Sequence, residues 1–192
     1  MNAVAITTSY LFLDALSLSS FAYKYQVPII LETYDYELTS EALELLADSS
    51  YYGTSDVYIP GGPVAVPTES VEGTLSSNHS FTRIYGETGY DTSNEIACYM
   101  VEHELLSANN VCVAAGSVPL NGVDALSGAA LAGKNGSAIV LVNTEEDYGP
   151  INTTTIDGFF TKYKANINQA YVLGGPAAVG ENLYDRLVAI LN

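Results

Sequence analysis

One ordered set of short motifs occurs twice in these 192 residues, which limits the chain to architectures that build one compact unit twice. Val4-Ala5-Ile6, Leu13-Asp14-Ala15-Leu16-Ser17, Val27-Pro28-Ile29-Ile30-Leu31 and Val57-Tyr58-Ile59-Pro60-Gly61-Gly62-Pro63-Val64-Ala65-Val66 come first. Val111-Cys112-Val113, Val123-Asp124-Ala125-Leu126-Ser127, Ala138-Ile139-Val140-Leu141 and Ala170-Tyr171-Val172-Leu173-Gly174-Gly175-Pro176-Ala177-Ala178-Val179 follow in the same order. Asp14 and Asp124 are 110 residues apart and Gly61 and Gly174 are 113 apart, far above the roughly 20 to 50 residues of solenoid repeats. Two duplicated small domains are therefore expected, 1–81 and 82–192, meeting at the stretch Thr82–Ser93.

Apolar runs at 3–7, 27–31, 57–59, 111–115, 138–142 and 170–173 are short and nearly continuous, the signature of parallel strands buried on both faces. Between them, helical spacing predicts helices over 12–25, 40–48 with Thr39 as cap, 67 or 68–75, 123–134, 152–163 and 180–191. Around the junction, a strand over 83–85 and a helix capped by Asp91 or Thr92 and running to about 105 are expected at the front of the second copy. Alternating strands and helices predict α/β architecture: two tandem units, parallel sheets with helices on both faces, and right-handed crossovers. Since the first copy has no strand-helix unit before Val4, it reads as truncated. Its sheet near 4–7 or 57–59 is expected to be left bare, to be covered by a second chain or an upstream segment, or to share helix 91–105 between the copies.

Charge narrows the function. The chain carries 22 Asp and Glu against 6 Lys and Arg, a net charge of −16, and both halves are acidic at −9 and −7. Such a field repels nucleic acid and anionic lipid, and no apolar run is long enough for a membrane span. No charged n-region precedes an apolar stretch at Met1, so any secretion signal is expected to lie outside these residues or not to exist. Cys98 and Cys112 read as small buried hydrophobes, with a disulfide only if the fold brings them together.

Individual motifs are each open to a plain reading. Gly128 to Asn135 approaches phosphate-loop spacing, yet Asn135 stands where Ser or Thr is needed and the segment reads as helix interior, so close helix packing is the expectation. The loops at Gly61-Gly62 and Gly174-Gly175 sit where open α/β sheets bind ligands, although a turn requiring positive φ explains them equally well. Asp14 and Asp124 stand near helix N-termini, suited to acid–base work or to capping, and capping is favoured because His79 and His103 match neither. No hydrolase elbow, zinc motif or Cys-x-x-Cys pair occurs, and neither metal nor cofactor is expected. Fifteen tyrosines against no tryptophan is a skewed set. Tyr34, Tyr36, Tyr51, Tyr52, Tyr58, Tyr85 and Tyr90 gather in or beside loops, where Tyr either fills gaps or stacks on sugar rings.

Taken together, Arg83-Ile84-Tyr85-Gly86 with Tyr90-Asp91-Thr92-Ser93, the Asp-Ala-Leu-Ser segments, the Pro-Ile-Ile-Leu strand and the Gly-Gly-Pro-x-Ala-Val loops resemble the cell-wall-binding type 2 repeat of Gram-positive bacteria. The resemblance implies flavodoxin-like units that usually occur in threes about a pseudo-threefold axis. They would attach extracellular surface-layer proteins and amidases, without catalysis, to an anionic secondary wall polymer. It implies polymer contact at Pro28, Ile29, Ile30 and Leu31 and at their counterparts Ala138, Ile139, Val140 and Leu141, which lack the proline, with Arg83 and Tyr90 in the junction motif. The family's Arg-Tyr pair is here Gly89-Tyr90, one cation fewer. Two alternatives stand beside this expectation: a doubly wound enzyme holding an anionic cofactor at the Gly-Gly-Pro loops, and a module that self-assembles or belongs to a longer chain.

Overall fold

The computed structural model describes residues 1–192 apart from 11, 49, 51, 53, 54, 76, 77, 117–121, 145–152 and 154. Tyr51 and the start of the helix expected over 152–163 lie outside the described residues.

Along the first copy the elements are β1 (Ala3–Thr7), α1 (Leu13–Tyr25), β2 (Ile29–Leu31), α2 (Ser40–Ala47), β3 (Asp56–Pro60), α3 (Thr68–Val71) and β4 (Ser80–Ile84). Then come α4 (Gly89–Glu102), β5 (Ser107–Ala115), α5 (Val123–Asn135), β6 (Ser137–Val142) and β7 (Gln169–Leu173), ending in α6 (Glu181–Leu191). A π-helix at Ile156–Phe160 runs through Thr161–Tyr163 into a 3₁₀ turn at Lys164–Asn166 before β7. All strands are parallel, in a four-stranded sheet β2-β1-β3-β4 and a three-stranded sheet β6-β5-β7. The orders 2-1-3-4 and 2-1-3 are those of a flavodoxin-like unit, as expected.

Two junction expectations change. The strand expected to open the second copy pairs instead with β3 of the first sheet, in register from Asp56↔Ser80 to Pro60↔Ile84. Helix α4 is capped by Thr88, whose hydroxyl accepts from Asp91 N–H at 3.2 Å while the Asp91 carboxylate accepts from Thr88 N–H at 3.0 Å. This reciprocal capping box satisfies two end donors at once, which a cap at Asp91 or Thr92 would not do.

The face expected to be bare is therefore covered. Every residue of β1 is buried, as are Val57–Pro60 of β3. One core joins Ala3, Leu18, Phe21 and Tyr58 of the first copy to Ile96 and Met100 of α4 and to Val111, Val140, Phe159 and Leu187 of the second. Helix α4, whose apolar face of Ile96, Ala97 and Met100 was legible from spacing, serves both sheets, and α1 packs beside it. The other face of the first sheet buries Val4, Ile6, Val57 and Ile59 against Leu46 of α2 and Val71 of α3. Strand β6 is at the edge of its sheet, but all six residues are buried, and its Leu141 N–H donates to the Ser93 hydroxyl of α4 at 2.9 Å. A sheet edge that would otherwise present unpaired donors is thus closed from within the chain.

The segment Gly128 to Asn135 lies inside α5 and is no phosphate loop. Its glycines permit a close crossing with α1: a methyl group on Gly133 would lie 2.6 Å from Tyr23 Cδ1 and 2.8 Å from the Ser20 carbonyl oxygen. Cys98 and Cys112 are free thiols, each buried and each with its pKa pushed up to about 11 by desolvation. They pack as small buried hydrophobes, as expected.

The crossing sets a test. Replacing an interior helical glycine by alanine ordinarily gains about 1 kcal/mol, yet Gly133→Ala should cost about 1 to 3 kcal/mol because the added methyl meets the Ser20 carbonyl as well as the base of the Tyr23 side chain. Gly175→Ala, where an added methyl meets nothing within 4 Å, should change stability by less than about 0.5 kcal/mol. Urea unfolding of both variants measures this, and a Gly133→Ala protein as stable as the parent would refute the tight crossing.

Candidate functional site

In the order β2-β1-β3-β4 the chain leaves β1 toward β2 and returns to β3 on the other side, so the crevice beyond the carboxyl ends of β1 and β3 is where ligands bind in such sheets. A cavity of about 540 Å³ occupies this place. Thr8 follows β1, Asp14 comes from the first turn of α1, and Gly62 to Ala65 come from the loop after β3. The connection from Tyr85 to Thr92, between β4 and α4, closes the far side. The cavity therefore exists because β4 joined the first sheet; the second sheet has no corresponding fourth strand among the described residues.

Its mouth is aromatic. Tyr10 is 48% exposed and Tyr85 51%. The Tyr10 ring stacks on Tyr36 at 5.3 Å between centroids and meets Tyr34 edge-on at 4.9 Å, while its hydroxyl donates to the Tyr34 carbonyl at 2.6 Å. Three tyrosines are so held in one rigid cluster, and Tyr85 stands across from it with its ring against Gly62, where a methyl group would lie 3.0 Å from Cδ2.

Asp14 and Asp124 do not cap their helices. Helix α1 begins after Phe12 and α5 after Gly122, and neither has a side-chain cap. Each carboxylate instead turns toward the Gly-Gly-Pro loop of its own copy. A methyl group on Gly61, at φ +125°, would lie 3.0 Å from Asp14 Oδ2, and one on Gly174, at φ +96°, 2.5 Å from Asp124 Oδ2. Both features favour glycine, the positive φ and the approaching carboxylate. The copies then diverge: Asp14 is buried, whereas Asp124 is half-exposed and Gly174 and Gly175 are exposed. Asp14 Oδ1 is buried with no hydrogen-bond partner.

The remaining predicted residues separate into accessible and inaccessible ones. Pro28, Ile29 and Ile30 are half-buried and Leu31 is exposed along β2, the outer strand of the first sheet. Their counterparts Ala138, Ile139, Val140 and Leu141 lie in β6 under α1 and α4, at most 1% exposed, and present no surface. Arg83 is engaged structurally. Its guanidinium donates to Glu72 through Nε at 3.1 Å and Nη2 at 2.5 Å, and Nη1 donates to the carbonyls of Gly61 and Val66 at 2.9 and 2.8 Å, bracing the first Gly-Gly-Pro loop. Tyr90 packs half-buried between the copies beside Leu13 and Leu16, and its ring also lines the cavity. Tyr10, Thr8 and Thr88 were not singled out by sequence reasoning. Only the general excess of Tyr beside loops pointed their way.

Burial pushes the Asp14 carboxyl up to about 6, and desolvation is the sole cause. A folded-state pKa above the unfolded value near 3.8 means that the ionised form costs stability. That cost is absent below pH 4, grows between pH 4 and 6 and is complete above it. It amounts to about 3 kcal/mol at most. Asp14→Asn, which removes the charge at nearly constant volume, should accordingly be more stable than the parent at pH 7 by about 1 to 3 kcal/mol, with the gap closing by pH 4. Urea unfolding at the two pH values tests this; a gap of constant size would refute the desolvated carboxylate.

The family description "Cell wall binding domain 2 (CWB2)" matches residues 1–72 and 83–184. The solved structure of Cwp6 from Clostridium difficile superposes with a TM-score of 0.79 at 25% identity, covering 98% of this chain and 27% of that one. Cwp8 from Clostridium difficile superposes with a TM-score of 0.73 at 24% identity, covering 100% of this chain and 30% of that one. The chain thus spans less than a third of the length of either. No curated protein sequence matches it. Two matched segments that together take in most of the chain place it in a family: the protein belongs to the cell wall binding domain 2 family.

Proposed function

We propose that this chain is a non-catalytic module of two sequence repeats, 1–81 and 82–192, with β4 crossing that boundary to complete the first sheet, that holds an extracellular surface protein on the Gram-positive wall by binding an anionic secondary wall polymer. The observation that carries the reading is the family match over both copies, combined with the position of Pro28 to Leu31 on an outer strand open to solvent. The contact assigned to this edge is largely apolar and main-chain, since β2 has a partner on one side only. Arg83 and Tyr90 act indirectly, the first by bracing the Gly61-Gly62 loop and the second by packing the junction. Coverage of under a third of either solved structure agrees with a chain that works alongside further repeats or domains.

The alternative of an anionic cofactor at the Gly-Gly-Pro loops is opposed by charge and by hydrogen bonding. Asp14 and Asp124 face the loops where a phosphate would sit, and Gly61 N–H is already given to the Ile84 carbonyl at 3.0 Å. Helix α3, which follows the first loop, spans only Thr68–Val71, too short for a strong dipole.

Co-sedimentation with Gram-positive walls tests the proposal. Retention on intact walls should fall on walls chemically stripped of their anionic polymer, and Leu31→Glu should weaken it about tenfold by placing a charge on the edge. Because both partners are acidic, retention should rise as the screening length shortens from about 30 Å at 10 mM salt to about 8 Å at 150 mM, the reverse of ordinary polyanion binding. Equal retention on stripped and intact walls overturns the reading.

A further inference from the structure

We propose that the cavity at the carboxyl ends of β1, β3 and β4 is a binding site for one uncharged pyranose ring, with tyrosines stacking on its faces and Asp14 accepting its hydroxyl protons. The wall-binding reading enters only in naming the glycan that supplies the ring.

The chemistry is read from the walls. At about 540 Å³ the cavity lies within the roughly 300 to 1,000 Å³ of small-molecule sites. The mouth is made of Tyr10, Tyr36 and Tyr85, all 37% exposed or more, and the neighbouring Val64 is 92% exposed. Tyrosines held open in this way offer flat apolar faces to the C–H side of a sugar ring, and their hydroxyls serve its rim. Exposed aromatic side chains lining a formed cavity mark a candidate binding site.

At the base, the Asp14 side chain is 93% buried by its 7% residual exposure, lines the cavity, and leaves Oδ1 without a donor. The Asp14 carboxylate at the base of the cavity is placed to accept a ring hydroxyl proton, and pairing removes the penalty of leaving a buried oxygen unpaired. Thr8, Thr88 and Thr92 line the same space. Of these, Thr88 and Thr92 already take part in the α4 cap and in the bond from Gly86 N–H at 3.0 Å. The charges on the walls are Asp14 and Glu87, both acidic, and no Lys or Arg lines the cavity. A phosphate or carboxylate would meet like charge, so the ring is uncharged, and the anionic groups of a polymer must lie elsewhere. The second copy shares the Asp124–Gly174 pairing, but its Gly174 and Gly175 are exposed.

Nuclear magnetic resonance of the ¹⁵N-labelled full chain, titrated with glucose, galactose, mannose and N-acetylglucosamine to about 100 mM, tests this in the affinity range of a single ring. At least one of these sugars should give saturable shifts at the Gly62, Gly86 and Gly89 amides, and its phosphorylated derivative should bind at least about tenfold more weakly. Tyr85→Ala and Asp14→Asn should each weaken the preferred sugar about fivefold or more; the second variant removes a buried charge and keeps the fold. Absence of saturable shifts with all four sugars, tighter binding of the phosphorylated form, or unchanged affinity in Asp14→Asn overturns the proposal. Parallel wall sedimentation separates the two readings: retention without any sugar response leaves the anchor standing and removes the pocket, and sugar binding without retention does the reverse.

Discussion

The parallel pairing of β4 with β3 is the interaction on which the rest of the molecule depends. Five residue pairs in register carry the chain past the first Gly-Gly-Pro loop before α4 begins, so α4 has to start at the carboxyl end of the first sheet and run back toward the second. From that single placement follow the common core, the covered edge of β6 and the far wall of the cavity. Each copy alone would have exposed an apolar sheet face; interlocked, they bury Phe21, Ile96, Met100 and Phe160 completely or nearly so. Burial on this scale dominates the stability of a domain.

Electrostatics act within that frame rather than shaping it. Among six basic residues, Arg83 pairs with Glu72, Lys162 with Glu102 and Arg186 with Asp157, while Lys24 donates to the Leu105 carbonyl. The pairs of Lys162 and Arg186 lie near half exposure and add little to stability, whereas Arg83 is mostly enclosed and ties a strand to a loop. The acidic surface is thus left largely unbalanced.

Local structure was legible wherever one physical rule decided it. Apolar runs marked strands buried on both faces, Thr39 marked the start of α2, and the small residues of α5 marked a close crossing. What escaped was relational. The strand before α4 has the same pattern whichever sheet it joins, so nothing in Ser80–Ile84 says that its partner is β3. Asp14 looks like any acidic residue in a first helical turn; its burial and its unpaired oxygen arise from Gly61 and from the roof at Tyr85 to Thr92, some 70 residues away. The equivalence of Pro28–Leu31 and Ala138–Leu141 was likewise drawn from sequence and uninformative about exposure, because β6 is overlaid by α1 and α4 while β2 forms the half-buried outer strand of its sheet.

The β3–β4 pairing also bears on how faithfully the chain folds. Strands β3 and β7 belong to matching motifs, each followed by Gly-Gly-Pro, so during folding β4 can meet two similar edges, on its own chain and on any neighbouring molecule. Exchange of such a strand between chains is the standard misassembly of duplicated proteins. Two differences select the correct edge. Tyr85 closes onto Gly62, while the corresponding Gly175 has nothing within 4 Å, and Arg83 finds Glu72 together with the Gly61 and Val66 carbonyls only in the first copy. Drift between the copies is therefore a proofreading device: the less alike the two edges become, the less often one chain captures the strand of another.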